Sequence, residues 1–152
     1  MFKKILKWLG GIFLAIILLF VLIAAYTGYK QAVYAETAIP YIKEVVPALS
    51  EWNSEKAKPF FVASTFDNVS QDEFEKVFRW FSKLGRFQSM EEPEFSNVYS
   101  GATIDDGANT IVTYTIFAHY ENGEAKITIR LLDLGESFEV YHFNVSSMAL
   151  IE

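Results

Sequence analysis

The sequence predicts an α+β domain carried on a single N-terminal membrane-spanning helix. Three observations carry that reading. The stretch "WLGGIFLAIILLFVLIAAYTGY", residues 8–29, runs without a charge, and residues 38–84 place apolar side chains at steps of three and four. Residues 95–147 then form four runs rich in threonine, valine, isoleucine and aromatics, with turn residues between them. Helices followed by strands is the order of an α+β fold, in which the helices cover one face of an antiparallel sheet.

The first segment is long enough to cross a bilayer, because a hydrocarbon core of roughly 30 Å takes about 20 apolar residues as a helix. Trp8 and Leu9 at one end, and Tyr26 and Tyr29 at the other, bracket the span where amphipathic rings settle at the headgroup level. Lys3, Lys4 and Lys7 precede the span and only Lys30 follows it closely, so the start is expected in the cytoplasm. The division that follows is a cytoplasmic start over 1–7, a transmembrane helix over 8–29, a connector over 30–40 and an extracytoplasmic α+β domain over 41–152. The location implied is a bacterial inner membrane, single-pass, with the domain in the periplasm and the lipid bilayer as the first partner.

The competing reading is a cleaved secretory signal with "VYA" at 33–35 as its site. Signal cores usually run about 7 to 15 apolar residues. This one is longer, and the candidate site lies well beyond its end, so the segment is expected to stay as an anchor. Cysteine is absent, which excludes lipoprotein processing, disulfides and thiolate metal sites.

Beyond the span the chain has ten basic against nineteen acidic residues, a formal charge of −9. Such a domain is not expected to seek nucleic acid or anionic headgroups. Its length suits one domain with its own core, and its aromatics argue against disorder.

The first helix of that domain shows in Ala38, Ile42, Val45, Leu49 and Trp52, which share one stripe. Pro40 and Pro47 each remove a backbone donor, which predicts a bend near Pro40 and a helix over 41–52. Asn53 or Ser54 then caps a short second helix with Phe60, Phe61 and Ala63 as packing residues. In "SQDEFEKVFRWFSKLG", Ser70 and Glu73 form a capping box, Phe74, Val77, Phe78, Phe81 and Leu84 form one apolar face, and Gly85 suits a left-handed stop.

Strands are predicted over 95–104, 110–120, 125–134 and 137–147, joined through "DDGAN", "ENG" and "LGE". Connections this short make antiparallel hairpins and hence a four-stranded meander. In the second strand Val112, Tyr114, Ile116 and Ala118 oppose Thr113, Thr115 and His119; in the third, Ile127, Ile129 and Leu131 oppose Lys126, Thr128 and Arg130. One sheet face is apolar and one mixed, although Phe117, Tyr141 and Phe143 leave open which is covered.

The order of about three helices and a meander, the junction "FSKLGRFQS" at 81–89 and the closing "YHFNVSSM" at 141–148 resemble the nuclear-transport-factor-2-like, or cystatin-like, superfamily. The resemblance implies a curved sheet wrapped into a cone whose mouth binds small molecules, serves as an enzyme site or pairs with another copy. A single N-terminal span bearing such a domain is also similar to the inner-membrane assembly subunits of type IV secretion systems.

The superfamily's enzymes use a histidine and acid pair, which directs attention to the two histidines. His119 sits at a strand rim. His142 shares its alternation with Phe138 and Val140, so it is expected to enter the cone, where Asp133 and Tyr114 would complete an acid/base cluster. The candidate cavity residues are therefore Tyr114, Asp133, His142, Phe117 and Phe143. Neither a catalytic motif nor a metal-ligand or cofactor motif is present: the chain lacks a phosphate-cradling loop, a nucleophile elbow and a zinc spacing, and "EEPE" at 91–94 reads as a solvated loop. The function expected is that of a membrane-anchored binding or scaffold domain, an assembly subunit with a protein partner or a second copy. The alternatives are a cone holding a small apolar ligand, and an acid/base enzyme centred on His142.

Overall fold

The computed structural model describes residues 1–103 and 107–151. The helices are α1 (Phe2–Leu49), α2 (Ser54–Ala57), α3 (Thr65–Asn68) and α4 (Gln71–Phe81); the strands are β1 (Phe87–Met90), β2 (Glu94–Thr103), β3 (Gly107–Tyr120), β4 (Gly123–Asp133) and β5 (Phe138–Ser146). The chain is thus α+β, with a long apolar N-terminal helix and an open antiparallel sheet. It divides into two compact units, Met1–Glu36 and Thr37–Glu152.

In the first unit α1 is long and apolar enough to cross a membrane. Residues 1–29 are all exposed, so no protein surface covers their apolar side chains. Thr27 returns its hydroxyl to the carbonyl of Ile23 at 3.0 Å, which satisfies that hydroxyl within the helix.

In the second unit the end of α1 carries the expected stripe, and Ala38, Ile42, Val45, Val46 and Leu49 are fully buried. The separate helix expected over 41–52 is corrected: α1 continues without a break through both Pro40 and Pro47. A proline inside a helix costs about 3 kcal/mol, whereas burying a large aliphatic side chain contributes about 1.5–3 kcal/mol. The four buried aliphatics around the two prolines therefore outweigh them. The helix also stops before Trp52: the Ser50 amide closes the last bond to the Val46 carbonyl at 3.0 Å, and Trp52 itself turns left-handed with φ 57°.

A left-handed tryptophan is strained where glycine would not be. Here its ring is held on three sides. The indole N–H donates to the Gly85 carbonyl at 2.8 Å, and the ring lies 5.9 Å from Phe81 and 5.4 Å from Tyr120. Beside it the Ser50 and Tyr120 hydroxyls, both buried, share a hydrogen bond of 2.7 Å. These contacts tie the end of α1 to the end of α4 and to β3.

Asn53 caps α2 by accepting from the Lys56 amide at 3.2 Å. The expected second helix is broken there: a 3-10 turn over Lys58–Phe60 begins around Pro59, Ala63 is exposed, and α3 follows separately. The capping box of α4 is formed on both sides by Ser70 and Glu73. Phe74, Phe78, Phe81 and Leu84 are buried as the spacing requires, while Val77 is exposed at the margin of the face. Gly85 takes φ 78°, and an added Cβ would stand 2.9 Å from the Cβ of Glu121.

The sheet has five strands instead of four, because the "FQSM" junction is itself a strand. β1 and β2 both pair with β3, β1 along 118–120 and β2 along 107–115. They are one edge interrupted at 91–93, where Pro93 has no amide to donate. β3–β4–β5 is the expected meander, in antiparallel register from Ile116 opposite Ile127 to Ile129 opposite Phe143. The turn expected at "DDGAN" lies partly outside the described residues, as does Ile104.

The covered face is the one bearing Val112, Tyr114, Ile116, Ala118, Ile127, Ile129 and Leu131, all buried. α1 and α4 supply the cover, with Phe81 6.1 Å from Phe143 and Tyr41 5.6 Å from Phe138.

Replacing Trp52 by Phe removes only the indole donor, since the ring contacts survive. The expected loss is about 1 kcal/mol, read as a lower thermal midpoint of the full-length protein in a non-ionic detergent.

Candidate functional site

Strand alternation that buries one side chain exposes the next, so the face turned away from the helices is set by the residues between the core positions. Reading across the sheet, one row holds Tyr99, Ile111, Leu132 and Glu139, and the next holds Asn97, Thr113, Arg130 and His142. Further rows add Thr115, Thr128 and Asn144, then Phe117, Lys126 and Ser146. The aromatic members stay open to solvent: Tyr99 is 68%, Tyr141 45% and Phe117 40% exposed. Tyr99 folds over Gly101, where an added Cβ would meet its ring at 2.7 Å.

A bulge in β5 determines which residues join this face. The register slips between Arg130 opposite His142 and Leu131 opposite Val140, leaving Tyr141 as the extra residue. Val140 before the bulge and Phe143 and Val145 after it therefore all turn inward, while Tyr141 and His142 both turn outward. His142 lies beside Arg130, and its imidazole is held below the usual histidine value, first by desolvation and then by the guanidinium.

That placement corrects the expected cavity cluster. Tyr114 and Phe143 are on the inner face, Phe117 and His142 are on the outer face, and the sheet separates the two pairs. Asp133 closes β4, where its Oδ1 accepts the Gly135 amide at 2.8 Å and shapes the turn into β5. It pairs with Thr110, four positions along β3 from Tyr114, which is roughly 13 Å at strand rise. The three polar groups proposed for acid/base work are thus not brought together.

Tyr114 is 1% exposed, packs edge-on to Phe95 at 5.7 Å, and its hydroxyl finds no hydrogen-bond partner among the described residues. Burial pushes its pKa up to about 12, so the phenol stays neutral. Two surface clefts lie elsewhere, one against Trp52, Gly85 and Phe87 and another lined by Ser146, Ser147, Met148, Ala149 and Ile151.

His119, expected at a rim, is half-exposed on the outer face with Nδ1 3.2 Å from Glu124 and Nε2 3.9 Å from Glu91. Glu92 reaches Lys43 at 2.9 Å and Glu91 faces His119, while Glu94 opens β2, so the acids of "EEPE" do not converge on one point. Among the described residues no three histidines or acids stand where they would share a metal ion.

The residues that sequence reasoning passed over are Tyr99, Lys126, Arg130 and Tyr141. The alternation already set Lys126 and Arg130 opposite the apolar residues of β4. The missing signal was that neither finds a carboxylate within ion-pair distance among the described residues. What the face offers chemically is aromatic contact area beside uncompensated positive charge and a row of hydroxyl and amide groups. No family model, characterised protein or solved structure matches this chain.

Tyr114→Phe deletes a buried hydroxyl that makes no bond and keeps the ring, so the expected change is a gain of about 1 kcal/mol, seen as a raised thermal midpoint. A pH series tests His142. Its folded-state pKa lies below the unfolded value, so the unfolded chain takes up the proton first and stability declines as pH falls from 6.5 through the depressed folded value. His142→Asn should flatten that decline. Glu73, whose carboxyl is lowered from 4.5 by the Ser70 amide and hydroxyl, loses its stabilising effect only below 4.5, so the two windows are separable.

Proposed function

We propose that this chain is a bitopic membrane protein whose outer domain acts by binding a protein partner on the open face of its sheet. Residues 8–29 anchor it, the lysines before the span hold residues 1–7 in the cytoplasm, and Thr37–Glu152 works on the other side, in the periplasm of a bacterial cell. The domain is read as nuclear-transport-factor-2-like from its order of helices and strands, and its role as that of an assembly or scaffold subunit.

The observation that carries the binding reading is the uncovered sheet face. Half of a sheet this size is ordinarily packed or made evenly polar, yet Tyr99, Phe117 and Tyr141 stand exposed on the same face as Arg130. Aromatics and arginine are the side chains enriched where protein surfaces meet. A membrane anchor adds to this by confining the search for a partner to the membrane surface.

The test is capture of the tagged full-length protein from its native membrane in mild detergent, with mass-spectrometric identification. The double substitution Phe117→Ala with Tyr141→Ala should release a stoichiometric co-purifying protein that Met148→Ala, an exposed apolar change off this face, retains. Equal behaviour of the two variants would sink the proposal. The intact mass of the captured chain should include Met1.

A further inference from the structure

The two unpaired cations of the open face lie in a defined setting. Lys126, Thr128 and Arg130 point outward from β4, and opposite them on β5 stand Ser146, Asn144 and His142. These six form a track of hydrogen-bonding side chains without a carboxylate, in a domain of formal charge −9. Glu124 ends the track beyond Lys126 and Glu139 ends it beyond Arg130, each displaced by one outward position along the sheet. Phe117 flanks it opposite Lys126, and the bulged Tyr141 flanks it next to His142.

The neighbourhood makes this more than two stray surface charges. Lys43, Lys56 and Arg86 each meet a carboxylate, at 2.9, 3.3 and 3.7 Å, whereas Lys126 and Arg130, four residues apart on the same face of one strand, meet none among the described residues although acids are in excess. Arg130 is near enough to His142 to disfavour its protonation. Positive potential on this track is therefore uncompensated, and an anion laid over it gains from both cations.

Geometry narrows the anion. Lys126 and Arg130 are four residues apart on a strand, hence roughly 13 Å. In an extended polypeptide, side chains at positions i and i+4 face the same way at the same spacing, whereas in a helix they lie only about 6 Å apart. The acids at both ends of the track repel any longer run of negative charge. We propose that the outer face of β4 and β5 docks an extended segment of the partner protein bearing two carboxylates four residues apart, one over Lys126 and one over Arg130, with uncharged residues between them.

This rests on the docking face proposed above, and the two can fail separately. The probe is a fluorescein-labelled peptide Thr-Glu-Thr-Thr-Thr-Glu-Thr, titrated against the full-length protein in non-ionic detergent at low salt and followed by anisotropy. Binding should weaken about tenfold when both glutamates become glutamine, or when Lys126→Glu is combined with Arg130→Glu, the scale expected of two exposed ion pairs. Lys126→Gln with Arg130→Gln gives the same test without reversed charge, and unaltered thermal midpoints confirm that the variants fold. Moving the second glutamate to i+3 should also weaken binding. Equal affinity for the glutamate and glutamine peptides would overturn the inference. So would capture of phosphatidylglycerol vesicles, but not of the peptide, through Lys126 and Arg130. If the cation variants keep the native partner that Phe117→Ala with Tyr141→Ala loses, the acidic segment falls while the docking face stands.

Discussion

Removal of one face of the β3–β4 pair from water is the constraint on which the rest of the outer domain depends. Val112, Ile116, Ile127, Ile129 and Leu131 are fully buried there, and each contributes about 1.5–3 kcal/mol only while something apolar lies over it. The end of α1 and the face of α4 are that cover. Helix propensity alone would not hold α1 through two prolines, nor would it keep Trp52 left-handed. The cover is held by a few directional contacts, namely the indole to Gly85, Ser50 to Tyr120, and the amide of Val62 to the carbonyl of Val140 at 3.0 Å. These do not supply most of the free energy; they select which helix end meets which strand.

The two units meet the same physical demand in different ways. In Thr37–Glu152 apolar side chains find each other, whereas in the first unit the apolar residues of α1 are exposed over a helix long and apolar enough to cross a membrane. The open sheet face is an intermediate case. Its threonines, asparagines and charged residues tolerate water, and its three aromatics do so at a cost. A surface of that kind is soluble alone and still gains from contact, which is the usual character of a reversible interface.

Much of this was legible in the sequence, for identifiable reasons. The capping box at Ser70 and Glu73 is a four-residue pattern with local causes, and it formed as read. The faces of β3 and β4 followed from strict alternation. What escaped was non-local or one residue out of step. β1 is four residues long and is defined by pairing with 118–120, not by its own composition. The continuation of α1 through Pro40 depends on burial that local propensity does not record. The expected cluster of Tyr114, Asp133 and His142 failed twice over: alternation counted from Phe138 is inverted after Tyr141, which turns His142 outward, and Asp133 lies at the end of β4, four positions along the sheet from Tyr114.

That bulge makes β5 a strand of two parities. Odd and even positions exchange their meaning at Tyr141, so the core contacts of Val140 and of Val145 are read in different frames along the same nine-residue strand. Length changes in β5 are consequently coupled. Loss of Tyr141 itself would restore simple alternation and keep both halves facing the core, while loss of one residue elsewhere would invert a half that is now correct. The core packing is indifferent to the kind of residue on the outer face, and the bulge is the one place in β5 where it is also indifferent to the loss of a residue.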